Sequence, residues 1–325
     1  MQKLAFIFSF LVLASMPSAF AADLTSVFTS EYNQRAALSF DDQASLKNFD
    51  IYLVPGILSE TFLSEDGRSK ITFAGITGDY LGEQEKILSQ KYGFAVKRLS
   101  SSSRSVDEIR QNIRNALDTS RRANRKALFM THSLGGLALI EELVLRPQMQ
   151  DVVGGIIFLQ SPFYGTPVAD FYFSNPYHFN KFLKPVLPFL NTTDETIRYL
   201  GTQSRGSFMA SEQNEVTKLI AKIPLFTVGG VANGFRSLFT PAVNLMAYGC
   251  MTVAFEKCFS QNLIAGPYNL SDGMVPLESS KLPGADFVVL AGADHGETVV
   301  KIPFVTYDRG HMTEVLFKIL AAKIK

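Results

Sequence analysis

A serine, a histidine and a carboxylate can together carry out nucleophilic acyl transfer if the serine is exposed on a sharp turn and the imidazole can take its proton. The pentapeptide Thr131-His132-Ser133-Leu134-Gly135 offers such a serine. Ala127-Leu128-Phe129-Met130 before it reads as a buried strand and Leu137-Ala138-Leu139-Ile140 beyond it as an apolar helix, which puts Ser133 on a strand-to-helix turn. Gly135-Gly136 lets that turn close and the helix approach the strand. The pattern alone is weak, because about 0.4 such pentapeptides arise by chance in a chain of this length. Thr202-Gln203-Ser204-Arg205-Gly206 matches it too, but the polar stretch from Asp194 to Leu200 supplies no strand before that serine. The alternative for Ser133 is a plain helix N-cap.

Proton transfer is restricted to four histidines. His295 follows the apolar run Phe287 to Ala293, so it sits on a loop at the strand end where Ser133 also lies, and it is the expected base. His132 adjoins the nucleophile, with a side chain expected to point away and pack. His178 lies among aromatic residues and asparagines and reads as a surface residue. His311, just before a terminal helix, reads as a capping or solvated residue and is the alternative base. The orienting carboxylate is expected between serine and base in chain order. Asp272 in Ser271-Asp272-Gly273-Met274-Val275-Pro276 fits, its alternative being an Asx turn before glycine. Asp294, adjacent to His295, is badly placed to accept a bond from that ring. Oxyanion donors are expected from the N–H groups of Leu134, at the helix start, and Ile57 in Pro55-Gly56-Ile57; losing one such donor costs about 3 kcal/mol in a transition state.

These residues need a scaffold that brings several loops to one edge. Apolar runs at Phe49 to Val54, Phe94 to Leu99, Ala127 to Thr131, Val152 to Leu159, Pro224 to Val228 and Phe287 to Leu290 read as strands. Helical patterns at Tyr80 to Lys91, Val106 to Ser120 and Leu137 to Leu145 alternate with them, the last stopped by Pro147. Alternation of this kind predicts an α/β fold with a parallel sheet covered on both faces. No repeat or Gly/Ser linker divides the chain, so residues 22–325 are expected to form one domain. The intervals 163–223 and 232–270 are too long for bare connections and read as insertions over the ligand-binding edge.

At the N-terminus, Lys3, the apolar run Leu4 to Leu13 and the A-x-A sequence Ala19-Phe20-Ala21 read as a secretory signal, cleaved after residue 21. The run is shorter than the ~20 residues of a membrane span. The location implied is periplasmic or extracellular. With Lys3 gone, the chain carries 30 charges of each sign, which gives no global attraction to nucleic acid. Cys250 and Cys258 are too few for a zinc cluster, and no histidine pair has ligand spacing, so no metal is expected. Export allows the two cysteines to pair. On a continuous helix they would stand ~12 Å apart, so the disulfide requires a turn between them.

With Ser133, Asp272 and His295 in this order, the chain from about Asp50 onward resembles the α/β-hydrolase superfamily, and within it secreted bacterial lipases and esterases. Ser161-Pro162-Phe163-Tyr164-Gly165-Thr166-Pro167-Val168-Ala169-Asp170 is similar to a P-H-x-G-[ST]-x-x-A-D stretch of such lipases, with Phe163 in place of the histidine. Other departures are Pro55, where a histidine usually precedes the oxyanion glycine, and Thr131, where the elbow usually begins with glycine. The resemblance implies a cap or lid over the site and an acyl-enzyme cycle without a cofactor.

From Ser237 to Phe255 no residue is charged, and Pro241, Asn244 and Gly249 argue against a membrane span. This segment reads either as an acyl-binding lid that touches a lipid interface transiently, or as an ordinary buried cap helix. Leu183 to Leu190 adds apolar surface of the same kind. The expected activity is hydrolysis of acyl or lipid esters. Thioesterase, deacylase or acyltransferase chemistry, or a catalytically silent binding protein, can use the same scaffold, and nothing in the sequence sets an oligomeric state.

Overall fold

The six apolar runs form one parallel sheet in a computed structural model that describes residues 21–35, 37–57, 79–100, 105–174, 192–232, 270–301 and 307–325. The segment up to residue 20, expected to be a signal, His178, the apolar stretches 183–190 and 237–255, and both cysteines lie outside the described residues. The strands are β1 (Phe49–Val54), β2 (Ala95–Arg98), β3 (Lys126–His132), β4 (Val153–Leu159), β5 (Leu225–Val231) and β6 (Asp286–Ala291), in the spatial order β2-β1-β3-β4-β5-β6. The chain runs from β1 outward to β2, then returns to place β3 on the other flank of β1. That reversal is a topological switch point, where loops diverge and leave a crevice at the carboxyl ends of the strands.

Along β1, β3 and β4 alternate residues enter different cores, so these strands read as continuous apolar runs, whereas the edge strand β2 exposes Ala95 and Lys97. Tyr52, Val54, Phe129 and Phe158 face one layer, which holds α4 (Val106–Arg122), α5 (Leu134–Leu145) and α9 (Gln213–Lys222). Ile51, Leu53, Leu128 and Met130 face the other, closed by the terminal helix α10 (Arg309–Ile324). Ile109, Ile113 and Leu117 form the buried stripe of α4. Buried almost all round, α5 carries Glu141 and Glu142 into the interior. Glu142 is held by Arg114 and Arg146, and Glu141 by the buried Arg205.

On the second face, α1 (Thr25–Asn33) and α2 (Phe40–Leu46) pack against α10, and the run Tyr80 to Lys91 is helical only from Gly82. There a short α3 (Gly82–Lys86) passes into a π-helical turn, Ile87–Lys91. Within residues 163–223, α6 (Pro167–Ser174), α7 (Asp194–Tyr199) and α8 (Thr202–Ser211) precede α9, which packs on α5 and delivers the chain to β5. Ser204 lies inside α8, so its pentapeptide is no turn at all. Upstream of α1, Ala22 and Leu24 pair with Phe287 of β6 and extend that sheet edge. Among the described residues no helix is long and apolar enough to cross a membrane.

Candidate active site

Ser133 is the single residue between β3 and α5, and the turn it makes is abrupt: φ is 53° and ψ is −124°. An L-residue pays for that conformation in steric strain, of order 1–3 kcal/mol, and it persists only where neighbours impose it. Here the Ser133 N–H donates to the Leu159 carbonyl (3.0 Å), and its own carbonyl accepts from Gly136 (3.0 Å). Glycine is obligatory around it. A Cβ on Gly135 would lie 2.6 Å from the carbonyl oxygens of Val54 and Pro55, and one on Gly136 would lie 2.0 Å from Ser161 Oγ. The helix that carries the serine can therefore press directly on the end of β1.

The other two residues come from loops after neighbouring strands β5 and β6. His295 Nε2 lies 3.0 Å from Ser133 Oγ, and His295 Nδ1 lies 2.8 Å from Asp272 Oδ2. A carboxylate can only accept, so Nδ1 carries the hydrogen and Nε2 is left to accept from the serine hydroxyl. Asp272 is 1% exposed and its second oxygen is also occupied, accepting from the N–H groups of Met274 (2.9 Å) and Val275 (2.7 Å). The backbone ties the two loops as well, through a His295 N–H to Asp272 carbonyl bond of 3.0 Å. Asp294 bonds the N–H groups of Gly296 and Glu297 and shapes the loop instead of meeting the ring.

Leu134 begins α5, where its N–H has no partner within the helix, and Ile57 follows the end of β1 beside it. Val54 and Thr131 are register partners, so the Pro55-Gly56-Ile57 turn meets the elbow directly. Neither N–H finds an acceptor among the described residues. The two expected oxyanion donors thus share one edge with Ser133.

The remaining histidines have other surroundings. His311 is not the solvated or capping residue its sequence position predicts. Asp308 caps α10, and His311 is buried in its first turn, where Nε2 meets the Tyr32 carbonyl (2.9 Å) and Nδ1 meets Glu314 (3.3 Å). That contact with Tyr32 comes from a helix far away in sequence. His132 packs inside, as expected, but within a polar network that no local pattern announces: Tyr80 Oη lies 2.5 Å from its Nδ1 and Gln160 Oε1 3.3 Å from its Nε2. Burial, and then the nearby His295, hold its pKa well below the ordinary histidine value. Phe163, which replaces the histidine of the lipase-like stretch, is buried edge-to-face against Phe158 at 5.2 Å.

The six-stranded parallel sheet with helices on both faces has counterparts among solved structures. A metagenomic carboxyl esterase aligns with a TM-score of 0.62, at 16% identity over 84% of this chain and 76% of that one. The mature form of a Bacillus licheniformis lipase aligns with a TM-score of 0.51, at 18% identity over 77% of this chain and 85% of that one. The fold is that of the α/β-hydrolases. No family model and no curated protein sequence matches the chain. In the α/β-hydrolase frame, Ser133, Asp272 and His295 occupy the carboxyl edge of the sheet, with Ile57 and Leu134 beside the serine.

Proposed function

We propose that this protein is a serine hydrolase that cleaves carboxylic esters through an acyl-enzyme. The observation that carries the reading is the continuous hydrogen-bonded path from Ser133 Oγ through the His295 ring to Asp272, built on a strained elbow. In this reading His295 Nε2 takes the Ser133 proton as Oγ attacks the ester carbonyl. Asp272 holds the tautomer and stabilises the imidazolium that forms. The carbonyl oxygen becomes an oxyanion between the N–H groups of Ile57 and Leu134, and collapse expels the alcohol, which receives the proton from His295. Water then repeats the sequence on the acyl-enzyme with the same base and donors.

The likeness to a carboxyl esterase and a lipase supports an ester as substrate. The uncharged run Ser237 to Phe255 supports an acyl chain or lipid as its apolar part, covered by a cap. Export with cleavage after Ala21 belongs to the same proposal. N-terminal sequencing of protein recovered outside the cytoplasm should begin at Ala22.

The test uses purified protein and its Ser133→Ala variant, labelled with a fluorophosphonate and assayed on p-nitrophenyl esters of increasing chain length. Labelling and turnover in the wild type, both absent from the variant, are expected, with longer acyl chains preferred. Persistent labelling of the variant would refute the Ser133 assignment. An unlabelled wild type, with the cap opened by detergent, would favour a silent binding protein.

A further inference from the structure

Between the elbow and the oxyanion turn lies a chain of buried polar groups whose donors and acceptors can be assigned one after another. The Gly56 N–H donates to Tyr80 Oη over 3.2 Å, so this oxygen accepts there. Burial raises the pKa of the Tyr80 phenol and keeps it protonated, and its hydrogen is then directed to His132 Nδ1 at 2.5 Å. His132 stays neutral for the reason given above, so its hydrogen is on Nε2 and points at Gln160 Oε1. The same Gln160 oxygen accepts from Thr298 Oγ1 (2.5 Å), while Gln160 Nε2 donates to the carbonyl of Asp294, the residue before His295 (3.2 Å). From the Gly56 N–H through Tyr80, His132 and Gln160 to the Asp294 carbonyl each group donates to the next, toward the loop that carries His295, and Thr298 of that loop donates back into Gln160.

Two further contacts fasten this chain at its ends. The Leu81 N–H bonds the Val299 carbonyl (2.8 Å), and Gln84 Nε2 bonds the Thr298 carbonyl (2.6 Å), so the Tyr80 segment is pinned to the loop beyond the base. The His132 and His295 rings stand 4.6 Å apart between centroids. A positive His132 would oppose the imidazolium that His295 must become, and the phenol hydrogen on Nδ1 blocks protonation there.

We propose that Tyr80 and His132 are positioning residues that hold the Gly56-Ile57 oxyanion turn against the nucleophile elbow and fix the spacing of that turn from His295. The proposal rests on the serine-hydrolase reading. Neither residue hydrogen-bonds Ser133 Oγ or the His295 ring nitrogens, which are taken by each other and by Asp272. They act by placing the Ile57 N–H where charge develops, so their loss should fall on the transition state and spare ground-state binding.

The test measures kcat per site titrated with fluorophosphonate, KM, and inhibition by an aryl boronic acid, whose tetrahedral serine adduct puts an oxygen at the oxyanion position. Tyr80→Phe keeps the ring and removes only the hydroxyl. It should lower kcat per titrated site about ten- to hundredfold and weaken the boronate by a similar factor, with KM changed by less than about threefold. His132→Gln should give the same pattern, and the double variant should lose little more than either single one, as expected for groups acting in one chain. Counting only titrated sites removes any loss from misfolded protein. Wild-type kcat per site and boronate affinity in Tyr80→Phe, or fully additive losses in the double variant, would overturn this inference alone. A wild type that fluorophosphonate does not label would overturn the hydrolase reading and this inference with it.

Discussion

The strain at Ser133 makes a prediction whose sign is opposite to the usual one. At an ordinary position glycine is less stable than alanine by about 0.4–1 kcal/mol, because it gives the unfolded chain more freedom. At φ 53° and ψ −124° the backbone is in a region that glycine enters freely and that a Cβ opposes. Ser133→Ala and Ser133→Gly both delete the hydroxyl and its 3.0 Å contact with His295, so that loss cancels between them. What remains is the Cβ strain, of order 1–3 kcal/mol, less the glycine entropy. Ser133→Gly should therefore exceed Ser133→Ala by about 1 kcal/mol, which for a chain of this size is about 1.5 °C in Tm. Thermal unfolding of the two variants by circular dichroism in one buffer reads the difference, and both variants should be inactive. A glycine variant that melts below the alanine variant would refute the claim that the elbow stores strain.

Two other perturbations follow from the same packing. A Cβ on Gly56 would stand 2.7 Å from Ser133 Cβ and 3.0 Å from the His132 carbonyl, so restoring ordinary contact moves turn or nucleophile by about 0.8 Å. Gly56→Ala should cut kcat about a hundredfold, seen in steady-state kinetics on a soluble p-nitrophenyl ester, and unaltered kcat would contradict the close approach. Glu314 is buried, which opposes its ionisation, yet Lys91, Tyr92 and His311 bond it and hold its carboxyl below the ordinary value of 4.5. A depressed folded-state pKa stabilises above the unfolded value and is lost as pH falls through the folded one, so Glu314→Gln should lower Tm near pH 7, by a gap that narrows as the pH is taken below 4.5. A pH-independent gap between the two Tm curves would count against that network.

Ser133 and His295 were readable as neighbours because each follows an apolar run at a turn, and a parallel sheet brings such ends to one edge; Asp272 was readable from its place between them in chain order, in a turn before Gly273. The strands β1, β3 and β4 were legible because their faces enter two cores, so the runs are continuous; β2, an edge strand with Ala95 and Lys97 exposed, has no such two-sided run. What escaped was set by distant partners. Tyr80 meets His132 from 52 residues away and Thr298 meets Gln160 from 138, and neither pair leaves a periodicity or spacing to detect. His311 looked exposed because a polar Asp-Arg-Gly precedes it; the Tyr32 carbonyl that buries it lies 279 residues upstream. The helical pattern begins at Tyr80 but the helix only at Gly82, since Tyr80 and Leu81 are committed to the site and to the Val299 carbonyl before the first helical turn.

Asp272 shows why a turn residue and a residue that orients a base need not be alternatives. Its Oδ1 accepts the Met274 and Val275 N–H groups and so makes the Asx-type turn that its place before Gly273 predicts. Its Oδ2 is thereby aimed away from the turn and at His295 Nδ1. The backbone bond from His295 N–H to the Asp272 carbonyl registers the two loops on each other. The orientation of the ring is thus inherited from turn geometry, with little left to side-chain rotamer freedom. An asparagine at this position would keep the turn through its amide oxygen and present an N–H₂ to His295. It would favour the wrong tautomer with the fold intact, a case in which loss of activity and loss of structure separate at a single atom.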